Sequence, residues 1–302
     1  MQLLKNKNLK RTFSVLRQAT VNLVNNDPLR IAASTAFFGT FAIPAILVVI
    51  LQIFGTFLNR RKFGGNIIDK LTTIIGNNSA EEIRHILLNL MHLGNNWFFA
   101  ILMFVFLLFV STTLFIIIRN SINQLWCIRL NENSGFYFNL KQRLKSLGII
   151  TMGGILLFIA FAFEGVRLFL ENKLHSTIPI LNGFINEVVF FMTTTLWFCI
   201  AFRFTGNGRP VWKAVILSSV FTGVLLTVGK LVMRTLLLNS NISEIYGTSG
   251  AILLVMLFIF YSSFIFYYGV SLVDAISNKL KKPIEASSHA HKFRTEAIDL
   301  EE

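Results

Sequence analysis

The stretch Val211–Leu238, VWKAVILSSVFTGVLLTVGKLVMRTLLL, decides the fold of this chain. Its apolar residues continue for longer than the roughly 20 helical residues that cross about 30 Å of hydrocarbon. The stretch nevertheless contains Lys230 and Arg234. A charged side chain is costly inside a membrane span, so these two residues mark a candidate functional site.

The rest of the chain has the same apolar character. Of its 302 residues, 54% are hydrophobic and 14% are charged, which lies outside the usual composition of soluble domains. Five further runs share this length and apolarity: Ile31–Phe57, Trp97–Ile118, Leu147–Leu170, Ile180–Phe202 and Ser249–Ile276. Continuous runs favour helices over the shorter, alternating strands of membrane barrels. We therefore predict an all-α polytopic membrane protein with six transmembrane helices.

The positions of the basic residues predict the orientation of these spans. Of 28 Lys and Arg residues, 19 lie in the N-terminal segment, the second-to-third and fourth-to-fifth connections and the C-terminal tail. Six lie on the opposite side, among them Arg60, Arg61 and Lys62 directly after the first span. The positive-inside rule then places both termini in the cytoplasm. We expect a multi-pass protein of a bacterial-type inner membrane, with membrane lipids as its ordinary partners.

The net charge of +13 has the same origin. A nucleic-acid-binding protein would gather its basic residues on one folded face with aromatic residues for stacking, whereas here they flank apolar spans. We therefore expect no nucleic-acid partner. The oligomeric state is not determined by these patterns.

Three regions are expected along the chain. Residues 1–30 form a cytoplasmic amphipathic helix, which either lies on the membrane surface or packs on the helix bundle. Its predicted apolar face contains Phe13, Leu16, Thr20, Leu23 and Val24. Residues 31–276 form the membrane domain, with an external helical connection at about 58–96. Residues 277–302 are polar and mixed in charge, which predicts a mobile cytoplasmic tail.

Small residues predict close packing between the spans. Ala32, Ala36 and Thr40 are four residues apart, and Pro44 continues the same register with an expected bend. Ser219 and Gly223 form a second such pair in the fifth span. Small residues at this spacing let membrane helices approach each other closely.

These residues also carry a resemblance to a known family. The segment AASTAFF at residues 32–38, followed by Ile43-Pro44, resembles the first-span signature of the YihY/BrkB family of membrane proteins. The segment IYGTSGA at residues 245–251, with Tyr246, Gly247 and Gly250, is similar to its most specific motif, which continues to Gly269. The similarity extends over about residues 10–278. It implies a six-helix inner-membrane protein with both termini inside.

One departure and one old family label bear on activity. The family commonly has an acidic residue two positions after the glycine that closes the last span. Here that glycine is Gly269, the position two residues later is Ser271, and Asp274 comes one turn after it. Members were once labelled ribonucleases. The five His residues are scattered over loops and tail, and no catalytic spacing or phosphate-binding loop is present in the sequence. We therefore expect no enzyme, no metal and no cofactor.

The charged residues of the spans fall at a common depth. If the third and fifth spans run outward and the fourth runs inward, five residues lie in the outer third of their helices: Glu164, Arg167, Glu187, Lys230 and Arg234. Three interpretations stay open: an outward-facing vestibule that binds an anionic solute or headgroup, internal ion pairs without transport, and snorkelling to the interface. Lys230 has the most span beyond it, so Glu187 or Glu164 is its expected partner.

Two functional hypotheses follow. In the first, the protein is a transporter or flippase for an anionic or amphiphilic solute, and the charged residues bind that substrate. In the second, it is a non-transporting membrane scaffold or envelope-stress and virulence-associated factor, which recruits partners at the inner face. A passive channel is a weaker option, because no repeated ring of charged segments is visible.

Overall fold

The computed structural model describes residues 2–55, 81, 84–85, 97–130, 152, 179–238 and 249–293. Within these ranges the helices are α1 (Gln2–Val24), α2 (Pro28–Gly55), α3 (Trp97–Leu125), α4 (Pro179–Phe204), α5 (Trp212–Leu238) and α6 (Ser249–Lys279). Four short strands accompany them: β1 (Ile128–Leu130), β2 (Gly208–Arg209), β3 (Glu285–Ala286) and β4 (Ala290–Lys292). The helical fold class is confirmed, with these strands as an unpredicted addition.

Five of the six predicted spans coincide with helices α2 to α6. In the described part of the chain, three helical segments are long and apolar enough to cross a membrane: Glu187–Phe204, Trp212–Val232 and Leu253–Lys279. The predicted third span, Leu147–Leu170, lies outside the described residues apart from Met152. The external connection lies outside them too, apart from Glu81, Arg84 and His85. The count of six spans and their orientation stay predictions.

Helix α6 is the central element of the described bundle. It packs against α1, α2 and α5, while α2 also packs against α3 and α4 against α5. Close contacts between α2 and α6 are made at Gly39, whose added Cβ would lie 3.0 Å from Ile259, and at Thr35, whose hydroxyl lies 2.6 Å from that of Tyr267. The hydrogen bond matters because both hydroxyls are buried, where an unpaired polar group is costly.

Helix α1 packs on the bundle, which is one of the two expected placements. It buries Val15, Ala19 and Leu23, and Val15 and Ala19 pack against Leu272 and Ala275 of α6. Of the predicted apolar face, Leu23 is buried, whereas Phe13 and Val24 are exposed on the surface of the bundle. The small side chain of Ala19 allows close approach to α6, and this packing determines the buried face more than hydrophobicity does.

A sharp turn separates α1 from α2. Asp27 has a φ of 51°, in the left-handed region that ends a helix. Pro28 then occupies the first position of α2, where its missing N–H leaves no hydrogen bond unmade. The left-handed Asp27 and the following Pro28 therefore separate the two helices.

Several predicted inner connections meet at one end of the bundle, which we call the basic end and define as residues 119–130, 203–213 and 277–293. Asn207 donates its backbone N–H to the side-chain oxygen of Asn123 at 2.9 Å, and the Trp126 indole donates to the carbonyl of Val270 at 3.1 Å. Helix α1 joins this end through Asn22, which donates to the carbonyl of Leu125 at 3.1 Å. The described connections that were predicted to share a side thus lie together.

The segment after α6 differs from the expected mobile tail. Strand β4 pairs antiparallel with β1, and β3 pairs antiparallel with β2, so residues 284–293, which we call the strap, cross the basic end. Ile284 is 1% exposed and packs in the core that contains Trp126 and Ile128. The Ser287 N–H donates to the carbonyl of Asn207 at 2.8 Å. Buried apolar surface and backbone pairing hold this polar segment in place.

Candidate functional site

The candidate site is an ion pair between α4 and α5. The Lys230 ammonium donates to both carboxylate oxygens of Glu187, at 2.8 and 2.7 Å. Glu187 is one of the two partners predicted for Lys230. The two side chains differ in exposure, because that of Lys230 is 9% exposed and that of Glu187 is 46% exposed. The lysine is therefore the inward member of the pair, and the glutamate is the accessible one.

An aromatic ring completes the surroundings of the ammonium. The Lys230 nitrogen lies 4.1 Å from the centre of the Phe190 ring. This position is within the range of a cation–π interaction, in which the negative face of the ring attracts a cation. Phe190 is three residues after Glu187 on α4, so both groups project from neighbouring positions of one helix face.

Helix α6 comes close to the same place. Tyr261 of α6 packs against Gly229, where any added Cβ would collide with its ring and hydroxyl. Gly229 directly precedes Lys230, so it lets α6 approach α5 at the depth of the ion pair. The charged pair therefore lies beside the packing of three helices.

A close contact between α4 and α5 lies two turns before Lys230 on α5. An added Cβ at Gly223 would collide with the Thr195 hydroxyl and lie 3.2 Å from the Phe191 ring. Ser219, one turn away, is fully buried. The pair Ser219 and Gly223 thus lies where the sequence expects a close helix contact.

The ion pair lies far from the basic end. At 1.5 Å of rise per residue, Lys230 is about 27 Å along α5 from Trp212 and Glu187 is about 25 Å along α4 from Phe204. Both residues therefore sit at a similar depth, towards the opposite end of the bundle. Trp212 is half exposed and Arg203 lies 5.1 Å from its ring centre, an arrangement typical of interfacial anchors.

The other three charged candidates have different outcomes. Arg234 lies on α5, one turn beyond Lys230, and its side chain is outside those described. Glu164 and Arg167 lie outside the described residues. The structure therefore brings together Lys230 and Glu187, and the membership of the other three stays a prediction.

The small residues of α2 lie at helix contacts. Ala32 and Ala36 are completely buried, and the Thr40 hydroxyl donates to the carbonyl of Ala36 at 2.8 Å. Pro44 lies within α2, which continues to Gly55. The bend expected at Pro44 stays a prediction.

One of the motif glycines has a clear packing role. Gly269 is buried, and an added Cβ would collide with the Thr222 hydroxyl and lie 2.6 Å from the Phe202 ring. No packing role is assigned to the other motif residues. Gly250 lies in the first turn of α6, and Tyr246 and Gly247 are outside the described residues. Gly269 is therefore the point where α6 meets both α4 and α5.

Sequence reasoning missed Phe190 and Tyr261 as neighbours of the charged pair. Phe190 could have been found from its spacing to Glu187, since residues three apart on a helix are neighbours. Tyr261 could not, because its contact with Gly229 depends on how α5 and α6 pack. Among the described residues, no group of three or more His, Cys, Asp and Glu side chains is placed to hold a metal ion.

Comparison with known proteins gives one match. The family model described as "Virulence factor BrkB" matches residues 19–294, which is most of the chain. No curated protein and no solved structure matches the chain. The matched range contains the charged pair, the motif glycine of α6 and the whole strap.

Proposed function

The chain belongs to the virulence factor BrkB family of membrane proteins, and from this premise we propose that it is a multi-pass inner-membrane transporter or flippase for an anionic or amphiphilic solute. In this proposal the Lys230–Glu187 pair is the substrate site. Both termini face the cytoplasm, and the site opens towards the outer side. No catalytic step is assigned to the protein.

The ion pair between two candidate membrane spans is the observation that carries the proposal. Removing two charges from water is expensive, and replacing a buried ion pair by apolar residues is often neutral or stabilising. Stability alone therefore does not account for Lys230 and Glu187 at this depth. Ionisable residues within membrane spans commonly mark the path of a substrate or an ion.

The unequal exposure of the pair supports a binding role. A purely structural pair would be expected to shield both charges, whereas Glu187 keeps 46% of its side chain exposed. A solute can therefore reach the carboxylate without prior separation of α4 and α5. Lys230 then becomes available as its partner is drawn away.

The helix contacts beside the pair support a conformational step. Gly223 and Gly229 on α5 allow contacts with α4 and α6 that any larger residue would block. Contacts at glycine, which has no side chain to interlock, let one helix shift against its neighbours, as alternating access requires. Movement of α5 would carry Lys230 away from Glu187.

Transport in reconstituted vesicles tests the proposal. Wild-type protein and the Lys230→Ala variant are placed in liposomes at equal density, and inward movement of a fluorescent short-chain anionic lipid is followed. We expect movement with the wild type and none with Lys230→Ala, while Lys282→Gln, a change of an exposed residue at the basic end, acts as wild type. Equal movement with Lys230→Ala and the wild type would refute the proposed role of this lysine.

A scaffold at the inner face is the second candidate. The observation that favours it is the outer face of α1, where Phe13 and Val24 are exposed although α1 already packs on α6. A partner could cover these side chains. The scaffold hypothesis predicts that deletion of residues 283–302, or charge reversal at the basic residues of 10–17, removes the cellular phenotype while Lys230→Ala is tolerated.

A further inference from the structure

The Lys230 ammonium already has close neighbours on two sides. An ammonium has three donors, and Lys230 directs two contacts to Glu187 and faces the Phe190 ring with its nitrogen 4.1 Å from the centre. An incoming anion therefore competes with the Glu187 carboxylate for the ammonium. An anion that takes these contacts displaces Glu187.

Displacement by a simple anion leaves the wrong charge behind. The pair is neutral as it stands, since one ammonium meets one carboxylate. If phosphate or a carboxylate took Lys230, the carboxylate of Glu187 would lose its counter-charge beside an apolar helix surface. Glu187 is half exposed, so the cost of this loss is modest, but it still favours a ligand that replaces the missing positive charge.

A ligand that carries both charges avoids this cost. Its anionic group takes Lys230 while its cationic group takes Glu187, so each charge exchanges one partner for another. The exposure of the two side chains gives the order of contact, because Glu187 is the accessible member and Lys230 is 9% exposed. The cationic group meets Glu187 first, and the anionic group then reaches the lysine.

Resting on the proposed transport function, we propose that the substrate is a zwitterion, with an anionic phosphate or carboxylate and an ammonium on one small group. A phosphoethanolamine group has this chemistry, both as a lipid headgroup and as a free solute. Its phosphate oxygens accept from Lys230 and its ammonium donates to Glu187. No covalent step is involved, and the net charge of the site does not change on binding.

Thermal stabilisation of the purified protein tests the exchange. Apparent melting temperature is measured against phosphoethanolamine, inorganic phosphate and ethanolamine, each at matched ionic strength, because a ligand that binds the folded state raises it. We expect phosphoethanolamine to bind at least about tenfold more tightly than either single ion, a factor that corresponds to about 1.4 kcal/mol. Equal binding of phosphate and phosphoethanolamine would refute the zwitterion and leave transport of an anion intact.

Nanodiscs distinguish the lipid from the free solute. The same measurement is made in discs of phosphatidylethanolamine and of phosphatidylglycerol, without added solute. Stabilisation by phosphatidylethanolamine alone assigns the site to the headgroup, and stabilisation by free phosphoethanolamine assigns it to a soluble zwitterion as well. If neither form of the zwitterion stabilises the protein more than its anionic counterpart, the inference is wrong.

Variants separate this inference from the transport proposal. Glu187→Gln leaves the ammonium of Lys230 without its carboxylate, so we expect the preference for phosphoethanolamine over phosphate to disappear. The exchanged pair Glu187→Lys with Lys230→Glu keeps one charge of each sign, and we expect it to retain the preference even if a single variant fails to fold. Loss of the preference in the exchanged pair would count against charge exchange, whereas loss of lipid movement only in Lys230→Ala concerns transport itself.

Discussion

The Lys230 ammonium is buried, and the Glu187 carboxylate that neutralises it is half exposed. This asymmetry matters because an unpaired charge costs more free energy when it is buried than when it is exposed. In the proposed outward-facing site, water can hydrate a lone Glu187, whereas a lone Lys230 stays buried. The pair is therefore more sensitive to loss of the glutamate than to loss of the lysine.

Single substitutions in the pair should reveal this difference. Glu187→Gln leaves an uncompensated ammonium. We expect the free energy of unfolding to fall by about 2–3 kcal/mol, near the lower end of the effect for fully buried pairs. Lys230→Met leaves a carboxylate that water can reach, so we expect a loss of about 1 kcal/mol or less. Thermal unfolding of each variant in one detergent gives the comparison, with the double variant close to wild type. A larger loss for Lys230→Met than for Glu187→Gln would contradict the exposures of the two side chains.

The sequence predicted the spans because hydrocarbon thickness imposes a length that any apolar helix must meet. Val211–Leu238 and helix α5 agree to within one residue at the start for this reason. The partner of Lys230 was narrowed to two carboxylates by depth alone. Selecting Glu187 needed the relative rotation of α4 and α5, and helical periodicity within one segment does not contain that information.

The strap was not predictable from local patterns. Strands of two and three residues have no measurable alternation, and β4 pairs with β1 across more than half of the chain. The polar composition of residues 283–293 is typical of disorder, yet Ile284 supplies the one large buried side chain that the segment needs. The face of α1 that packs on α6 was not predictable from its own segment either, since it contains the small Ala19 and leaves Phe13 exposed.

Replacement of Gly269 by alanine should destabilise the bundle. The new methyl group would meet the Thr222 hydroxyl and the Phe202 ring, and both side chains are fully buried. Overpacking of this kind costs about 1–3 kcal/mol, which exceeds the gain of about 1 kcal/mol from helix propensity. We expect a lower unfolding temperature for Gly269→Ala.

Gly39→Ala provides the matched control for Gly269→Ala. Its methyl group would lie 3.0 Å from the Cγ2 methyl of Ile259, so this contact is looser than those at Gly269 and needs a shift of only a few tenths of an ångström. We expect the free energy of unfolding of this variant to lie within about 0.5 kcal/mol of the wild-type value, because the gain in helix propensity offsets the tight contact. Equal destabilisation by the two substitutions would mean that the closer contacts at Gly269 are not the cause.

The pH dependence of Cys127 alkylation should report whether the strap is docked. Burial raises the pKa of the Cys127 thiol, the nearby Asp274 carboxylate raises it too, and Lys292 of the strap lowers it. Since the thiolate is the reactive form, Lys292→Ala should shift the alkylation profile to higher pH and slow the reaction at pH 7. Asp274→Asn should shift the profile to lower pH.

The alkylation experiment needs a background without the second thiol. Cys199→Ser removes it, so an uncharged maleimide then reports Cys127 alone. Lys279→Ala serves as a control for net charge, since it removes an exposed cation from the same end of the bundle. If Lys292→Ala and Lys279→Ala give the same profile, Lys292 does not act on the thiol from a docked strap.

Ile284 should control how firmly the strap is held. Its side chain packs against Trp126 and Ile128, and an added Cβ at Gly208 would lie 2.6 Å from it, so the surrounding space is fully occupied. In a rigid core, Ile284→Ala would leave a cavity that destabilises the protein by about 2–5 kcal/mol. The strap can instead undock, so the loss of stability cannot exceed the free energy with which the strap is docked. Trypsin cleavage after Lys292 follows the undocked population when docking is fast, so we expect at least about tenfold faster cleavage. Ser288→Ala, which changes an exposed residue of the same segment, should cleave at the wild-type rate. Unchanged cleavage in Ile284→Ala would show that strand pairing with β1 and β2, and not burial of this side chain, holds the strap.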